Sequence, residues 1–148
     1  MKPEVLKRFA LLVEFSDDER EALVEVLEKR ILPAGKSVFR EGAESDGLVL
    51  LEKGSLKLKS RRTGGIVGAI DAEDHLGAAS LFGPSKREVS AMADGPCTVW
   101  TLSRSGLSRL AEDSPRAAFR LVEALAGELV ALVKPGIDLL IENADDLE

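Results

Sequence analysis

The chain has 148 residues, 45% of them apolar and 31% charged, which fits one globular domain and excludes a disordered chain. Its 20 basic and 26 acidic side chains leave a net charge of −6. That charge opposes non-specific attachment to DNA or to a membrane surface, because both depend on neutralising phosphates.

In chain order, the start MKPEVLKRFALLVEF is broken by charges, and no apolar run reaches the length of a bilayer span or an export signal. In FSDDEREALVEVLEKRI, Ser16 and Glu19 have the spacing of a capping box, and Asp17 and Asp18 suit the positive end of a helix. Leu23, Val26 and Leu27 give that helix one buried face. From Ile31 to Leu102 the pattern changes to short apolar runs separated by glycines, with Gly35, Gly42, Gly47, Gly54, Gly64 and Gly65 read as turns. Many short strands at regular spacing predict a mainly β sandwich or barrel, a jelly roll among the options. SLKLKS alternates cleanly, so one of its faces is wet.

SRSGLSRLAED is predicted to form a short helix. SPRAAFRLVEALAGELVALV follows as a stronger one, with Ser114 as N-cap, Pro115 in first position, and Pro135-Gly136 as its stop. Ala118, Leu121, Leu125, Leu129 and Leu132 recur at three- and four-residue spacing, and Val122, Ala126, Val130 and Val133 widen the stripe. A stripe this wide suits contact with the sheet on one side and a partner helix on the other. IDLLIENADDLE then reads as a short acidic helical tail, dividing the chain into a domain over 1–134 and a tail over 135–148.

Few residues offer chemistry. AGKS (34–37) lacks the upstream glycine and the strand-then-helix order of a phosphate-binding P-loop, so that reading is rejected. His75 is the only histidine; with Asp74 alone beside it no metal site is expected, and it reads as an ordinary loop histidine. Cys97, the single cysteine, can form no internal disulfide; it reads as a small core residue in a cytoplasmic protein. Trp100 shares a strand face with Thr98 and Leu102 and reads as packing. Glu73 and Asp74 suit a solvated turn, and no nucleophile–base pair is present. No enzyme is expected. The basic run KLKSRR (57–62) reads as a solvated strand end and turn.

The stretch HLGAASLFGPSKREVSA (75–91) has the grammar of an anion-binding turn. Gly77 permits a tight turn, backbone N–H groups from Gly77 to Ser80 face one way at a helix start, and Arg87 matches a pair of anionic oxygens. From the residues alone a phosphate cradle, a cradle that has lost its ligand, and a plain surface loop all stay open.

The order of elements resembles the cyclic nucleotide-binding domain of the catabolite activator proteins and the cyclic-AMP-dependent kinase regulatory subunits, from about Phe15 to Val133. LPAGKSVFREGAESDGLVLLEKGSLKLKS is similar to that family's first strands, and HLGAASLFGPSKREVSAMADGPCTVWTLSR to its phosphate-binding cassette. The resemblance implies a double-stranded β-helix jelly roll with an N-terminal helix and a long C-terminal helix. It also implies a ligand cassette of Gly77, Ala78, Ala79, Ser80, Arg87, Glu88 and Val89. In the family a glutamate follows the glycine and holds the ribose 2′-hydroxyl, while the arginine holds the cyclic phosphate. Here Gly77 and Arg87 match. Ala78 stands where the glutamate belongs, Glu88 where a small or hydroxyl side chain is usual, and Val89 where an alanine is usual.

Losing the ribose acid is expected to weaken binding roughly tenfold to a hundredfold, and Glu88 is expected to add repulsion. Residues 115–133 match the family's dimer helix, which implies an interface of Ala118, Leu121, Val122, Leu125, Leu129 and Leu132. Exchanging Leu125 and Leu129 for glutamate is therefore expected to give a folded monomer. The expectation is a stand-alone regulatory or sensory module, a homodimer acting through an unidentified protein partner. It carries no cofactor or metal, binds cyclic nucleotide or another phosphate-bearing ligand weakly at most, and attaches to neither DNA nor membrane. Two alternatives are a working cyclic nucleotide sensor and a ligand-free interaction scaffold.

Overall fold

A computed structural model describes residues 1–45, 47–83 and 85–146. Among these residues, ten strands run β1 (Glu28–Leu32), β2 (Ser37–Phe39), β3 (Glu44–Ser45), β4 (Gly47–Lys53), β5 (Ser55–Ser60), β6 (Gly65–Asp71), β7 (His75–Leu76), β8 (Ser85–Lys86), β9 (Ser90–Ala93) and β10 (Cys97–Ser103). Helix α1 (Asp17–Val26) precedes them, and α2 (Arg104–Asp113) and α3 (Pro115–Asp146) follow. One antiparallel sheet has the order β1-β10-β4-β7 and another β2-β9-β5-β6, with β3 and β8 forming a small ladder beside them. This is the expected jelly roll with flanking helices. No described helix is long and apolar enough to cross a membrane.

Strand β4 shows how the two halves of the core are built. Successive side chains of a strand point to opposite faces, and Gly47 to Leu51 are buried throughout. Leu48 and Leu50 join Trp100 and Leu102 of β10 against the helices. Val49 and Leu51 join Val99 and Cys97 between the sheets, with Leu32, Leu56, Ala91 and Ala93. Trp100 also donates Nε1–H to Glu52 at 2.8 Å. In β5, Leu56 is buried while Lys59 is exposed, so KLKSRR lies at a wet strand end and turn. Gly35, Gly42, Gly54 and Gly64 have positive φ, but Gly47 and Gly65 open strands and do not turn the chain.

The helical layer is anchored by polar contacts as well as by apolar ones. Ser16 and Glu19 form the predicted reciprocal capping box. Glu19, 4% exposed, also receives Nε of Arg120 on α3 at 2.9 Å, so one carboxylate starts α1 and ties it to the long helix. Burial raises its pKa, but hydrogen bonds from Ser16 and Arg120 and the Arg120 charge outweigh this, and the carboxyl titrates below its ordinary value of 4.5. A depressed folded-state pKa contributes stability that is complete above the unfolded value and disappears as pH falls through the folded one. Thermal unfolding should therefore show stability falling below about pH 4.5, and Glu19→Gln should flatten that fall. Equal slopes for the two proteins in this acid range would contradict it.

Two segments depart from the sequence reading. The N-terminal stretch forms 3₁₀ turns over Pro3–Arg8 and Ala10–Leu12. These turns, with the residues that flank them, bury Leu6, Phe9, Leu12 and Phe15 in the helix-side core. At the other end α3 does not stop at Pro135 but runs through it to Asp146. Proline removes one N–H, here the partner of the Ala131 carbonyl. Both residues lie on an exposed stretch where water can satisfy that carbonyl. The acidic tail is thus the end of one long helix, and residues 147–148 lie outside the described part.

Candidate ligand cassette

Gly77 adopts φ +82°, a left-handed turn that a side chain would strain. A Cβ there would come within 2.3 Å of Arg87 Nη1 and 3.0 Å of the Gly47 carbonyl oxygen. The glycine is needed twice, for the turn and for the guanidinium seated against it. After the turn, Ala78–Leu81 form a single 3₁₀ turn rather than a longer helix. The Ser80 amide is spent on the Gly77 carbonyl at 3.1 Å, so the row of free donors expected from Gly77 to Ser80 is shorter than the sequence suggested. Pro84, half of the predicted Gly83-Pro84 break, lies outside the described residues.

Gly47 is the hub of the site. Its carbonyl accepts Arg87 Nη2–H at 3.0 Å and shares the Ser80 Oγ–H, 2.7 Å away, with the Gly77 carbonyl at 2.6 Å. Arg87 is 8% exposed, and its Cζ lies 4.2 Å from the ring centre of Phe39, a cation–π contact. Its backbone is held too: its N–H donates to Ala43 and its carbonyl accepts from Gly42, each at 2.8 Å. The arginine therefore lies beside Gly77, as the spacing implied, but its head is engaged by the fold.

The space beside Arg87 is about 160 Å³, bordered also by Phe39, Val49, Arg30, Glu28 and Glu44. Small-ligand pockets run roughly 300–1,000 Å³. Two carboxylates share this space with two guanidinium groups, which removes the positive excess a phosphate needs. Ala78 is half buried and packs partly against the helix-side core, Ala79 is exposed, and Val89 is half buried. Glu88 is exposed while Arg87 is buried. Water therefore screens the repulsion expected from Glu88, and Ala78 becomes the weightier departure.

His75 is not the ordinary loop histidine expected. It lies on β7, immediately before the cassette, and its Nε2 meets Oε2 of Glu128 on α3 at 2.8 Å. A contact between residues 53 apart in sequence ties the cassette's entrance to the long helix.

The long helix divides the predicted interface residues. Ala118, Leu121 and Leu125 are buried in the chain's own core, at 7%, 0% and 0% exposure, and cannot meet a partner. The sequence reading expected them at a dimer interface; they pack instead in the helix-side core. Val122 and Leu129 are half buried and Leu132 is exposed. The exposed apolar face lies farther along, on Val130, Leu132, Val133, Ile137, Leu139, Leu140 and Ile141.

The chain thus combines a jelly roll, a positive-φ glycine ten residues before a buried arginine, and a long C-terminal helix. The cyclic nucleotide-binding domain family matches residues 29–114, and the chain belongs to that family. A cAMP-dependent protein kinase regulatory subunit from Eremothecium gossypii is 31% identical over 107 residues, covering 72% of this chain and 23% of that protein. The chain thus spans about a quarter of the length of that relative. The N-terminal domain of a transcriptional regulator from Streptomyces coelicolor A3(2) superposes with a TM-score of 0.77 at 24% identity, covering 86% of this chain and 94% of the other. The regulatory domain of Toxoplasma gondii PKA, solved with cAMP, superposes with a TM-score of 0.69 at 26% identity, covering 86% and 49%.

Proposed function

We propose that this chain is a regulatory module of the cyclic nucleotide-binding fold in which nucleotide binding is weak or lost, and which acts through protein contacts as a homodimer. One observation carries the reading. Ala78 stands where the family places its ribose-binding acid, beside an arginine already bonded to the Gly47 carbonyl and stacked on Phe39. A cyclic phosphate would have to displace those contacts and would gain no partner for the ribose hydroxyl. The reading is of a cytoplasmic, non-enzymatic module with no metal or cofactor, and with a net charge of −6 it makes no duplex-DNA contact of its own.

The homodimer rests on α3. Beyond Leu129 the helix continues for roughly 25 Å at 1.5 Å per residue, with the exposed apolar face described above. Leu129, Val130, Val133 and Ile137 line a hollow of about 350 Å³ on it. A second copy of the same helix offers a matching surface under two-fold symmetry.

Calorimetry with cyclic AMP and cyclic GMP tests the nucleotide claim. Binding should be weak or absent in the natural chain. Ala78→Glu should strengthen it by about tenfold to a hundredfold, since a hydrogen bond to a charged group contributes about 1.5–3 kcal/mol. Adding Glu88→Ser should change little, because that carboxylate is exposed. Sub-micromolar binding by the natural chain would establish a working sensor instead. A less stable Ala78→Glu protein with no gain in binding would mean that the new carboxylate is trapped against the helix-side core, and would favour the ligand-free scaffold.

A further inference from the structure

Beside the cassette, between the β3–β8 ladder and the start of α2, lies a cleft of about 530 Å³. The ladder contributes Ser45 and Lys86, and the helix contributes Ser103, Arg104 and Ser105. Glu44, opposite Lys86 in the ladder, also borders it. The described lining therefore carries a net charge of +1 in a chain of net charge −6.

Three features of this cleft point to an anion. The first is Arg104. Its Nε donates to the Ser80 carbonyl at 3.0 Å, which fixes the guanidinium plane while its two terminal nitrogens remain for the cleft. The second is the ten-residue α2, whose first turn has Ser103 as N-cap, with Oγ accepting from Gly106 N at 3.0 Å. The Arg104 and Ser105 amides occupy the positive end of that helix. The third is Ser45. It is 9% exposed, yet no hydrogen-bond partner meets its hydroxyl among the described residues. Its oxygen is not sealed from solvent, so it opens into the cleft, where a ligand oxygen can serve as its partner.

We infer that this cleft binds a phosphomonoester group. Two cations, serine hydroxyls and helix-start amides match three acceptor oxygens that share nearly two negative charges. A cyclic phosphodiester offers one charge and two free oxygens, so the cleft discriminates against the ligand of the family's cassette. An occupant also reaches that cassette. It pulls on Arg104, which holds Ser80, whose hydroxyl bonds the Gly47 carbonyl at 2.7 Å.

The test is an amide-resolved NMR titration of the full chain with inorganic phosphate against chloride at matched ionic strength. Saturable shifts are expected at Ser45, Arg104 and Ser105. Lys86→Met and Arg104→Met should each weaken binding at least about tenfold, the loss of one charge-assisted hydrogen bond. Lys86 is exposed on a short strand, so its variant stays informative even where Arg104→Met, which removes the brace on Ser80, unfolds. O-phosphoserine serves as the second probe. Tighter binding than inorganic phosphate identifies a phosphorylated side chain as the source, and equal binding a free phosphate. Shifts centred on Gly77 and Arg87, or unchanged affinity in Lys86→Met, would overturn the assignment. Phosphate shifts at Arg104 and Ser105 support it even in a chain that also binds cyclic AMP at Gly77.

Discussion

Gly47→Ala should destabilise the protein by about 2–4 kcal/mol and dismantle the cassette in the same step. A Cβ at this position would lie 2.3 Å from the carbonyl oxygen of Leu102, 2.9 Å from its carbon and 3.2 Å from the Ser103 Cα. All three are backbone atoms of β10, the strand paired with β4 through the middle of the sheet. No side-chain rotation relieves that contact, so the strands must part. Overpacking of this kind costs about 1–3 kcal/mol. The Gly47 carbonyl moves with its strand, and it holds both Ser80 and Arg87. Loosening a buried hydrogen bond to a guanidinium adds to the loss. Gly68→Ala on β6 is the control, because its Cβ would meet only Leu58 at an ordinary 3.7 Å. Urea unfolding should separate the two variants clearly. A Gly47→Ala midpoint equal to that of the natural chain would refute the hub.

What was legible in the sequence was local. The Ser16–Glu19 box, the alternation of SLKLKS and the spacing of Gly77 to Arg87 each depend on neighbours a few residues away, and each is present. Gly47 read as a turn because a glycine between a polar stretch and an apolar run usually is one. Its actual cause is a carbonyl 55 residues later, which no local pattern contains. His75 and Glu128 are hidden for the same reason. The N-terminal turns did carry a signal. Leu6, Phe9, Leu12 and Phe15 recur every three residues, the period of a 3₁₀ helix, and all four are buried. The charges between them masked it. The apolar stripe of α3 was read as meeting the sheet on one side and a partner helix on the other, but in the structure only its first part, through Leu125, is buried in the body. Sequence periodicity reports a face, and only the packed body shows how far along the helix that body extends.

That division sets the last expectation, which reverses the one drawn from the stripe alone. Leu125→Glu should unfold the protein rather than release a folded monomer. Leu125 is 0% exposed among Leu6, Phe9 and Leu121 in the helix-side core. Burying an unpaired carboxylate in such a site costs several kcal/mol, a large share of the stability of a small domain. Val133→Glu with Leu140→Glu should act differently. Their side chains are 56% and 69% exposed, and at seven residues apart they lie on one face of α3. In the isolated chain the exchange removes no core contact, so circular dichroism and the unfolding midpoint should match a natural chain held at dilution. In a dimer the same pair places four carboxylates along one seam, and like charges held that close oppose association. Sedimentation at tens of micromolar should find the natural chain dimeric and the double variant monomeric and folded. A natural chain that sediments as a monomer would leave this face to some other partner and end the homodimer proposal. A Leu125→Glu protein that folds with the natural midpoint would mean that α3 packs on the body along a different face.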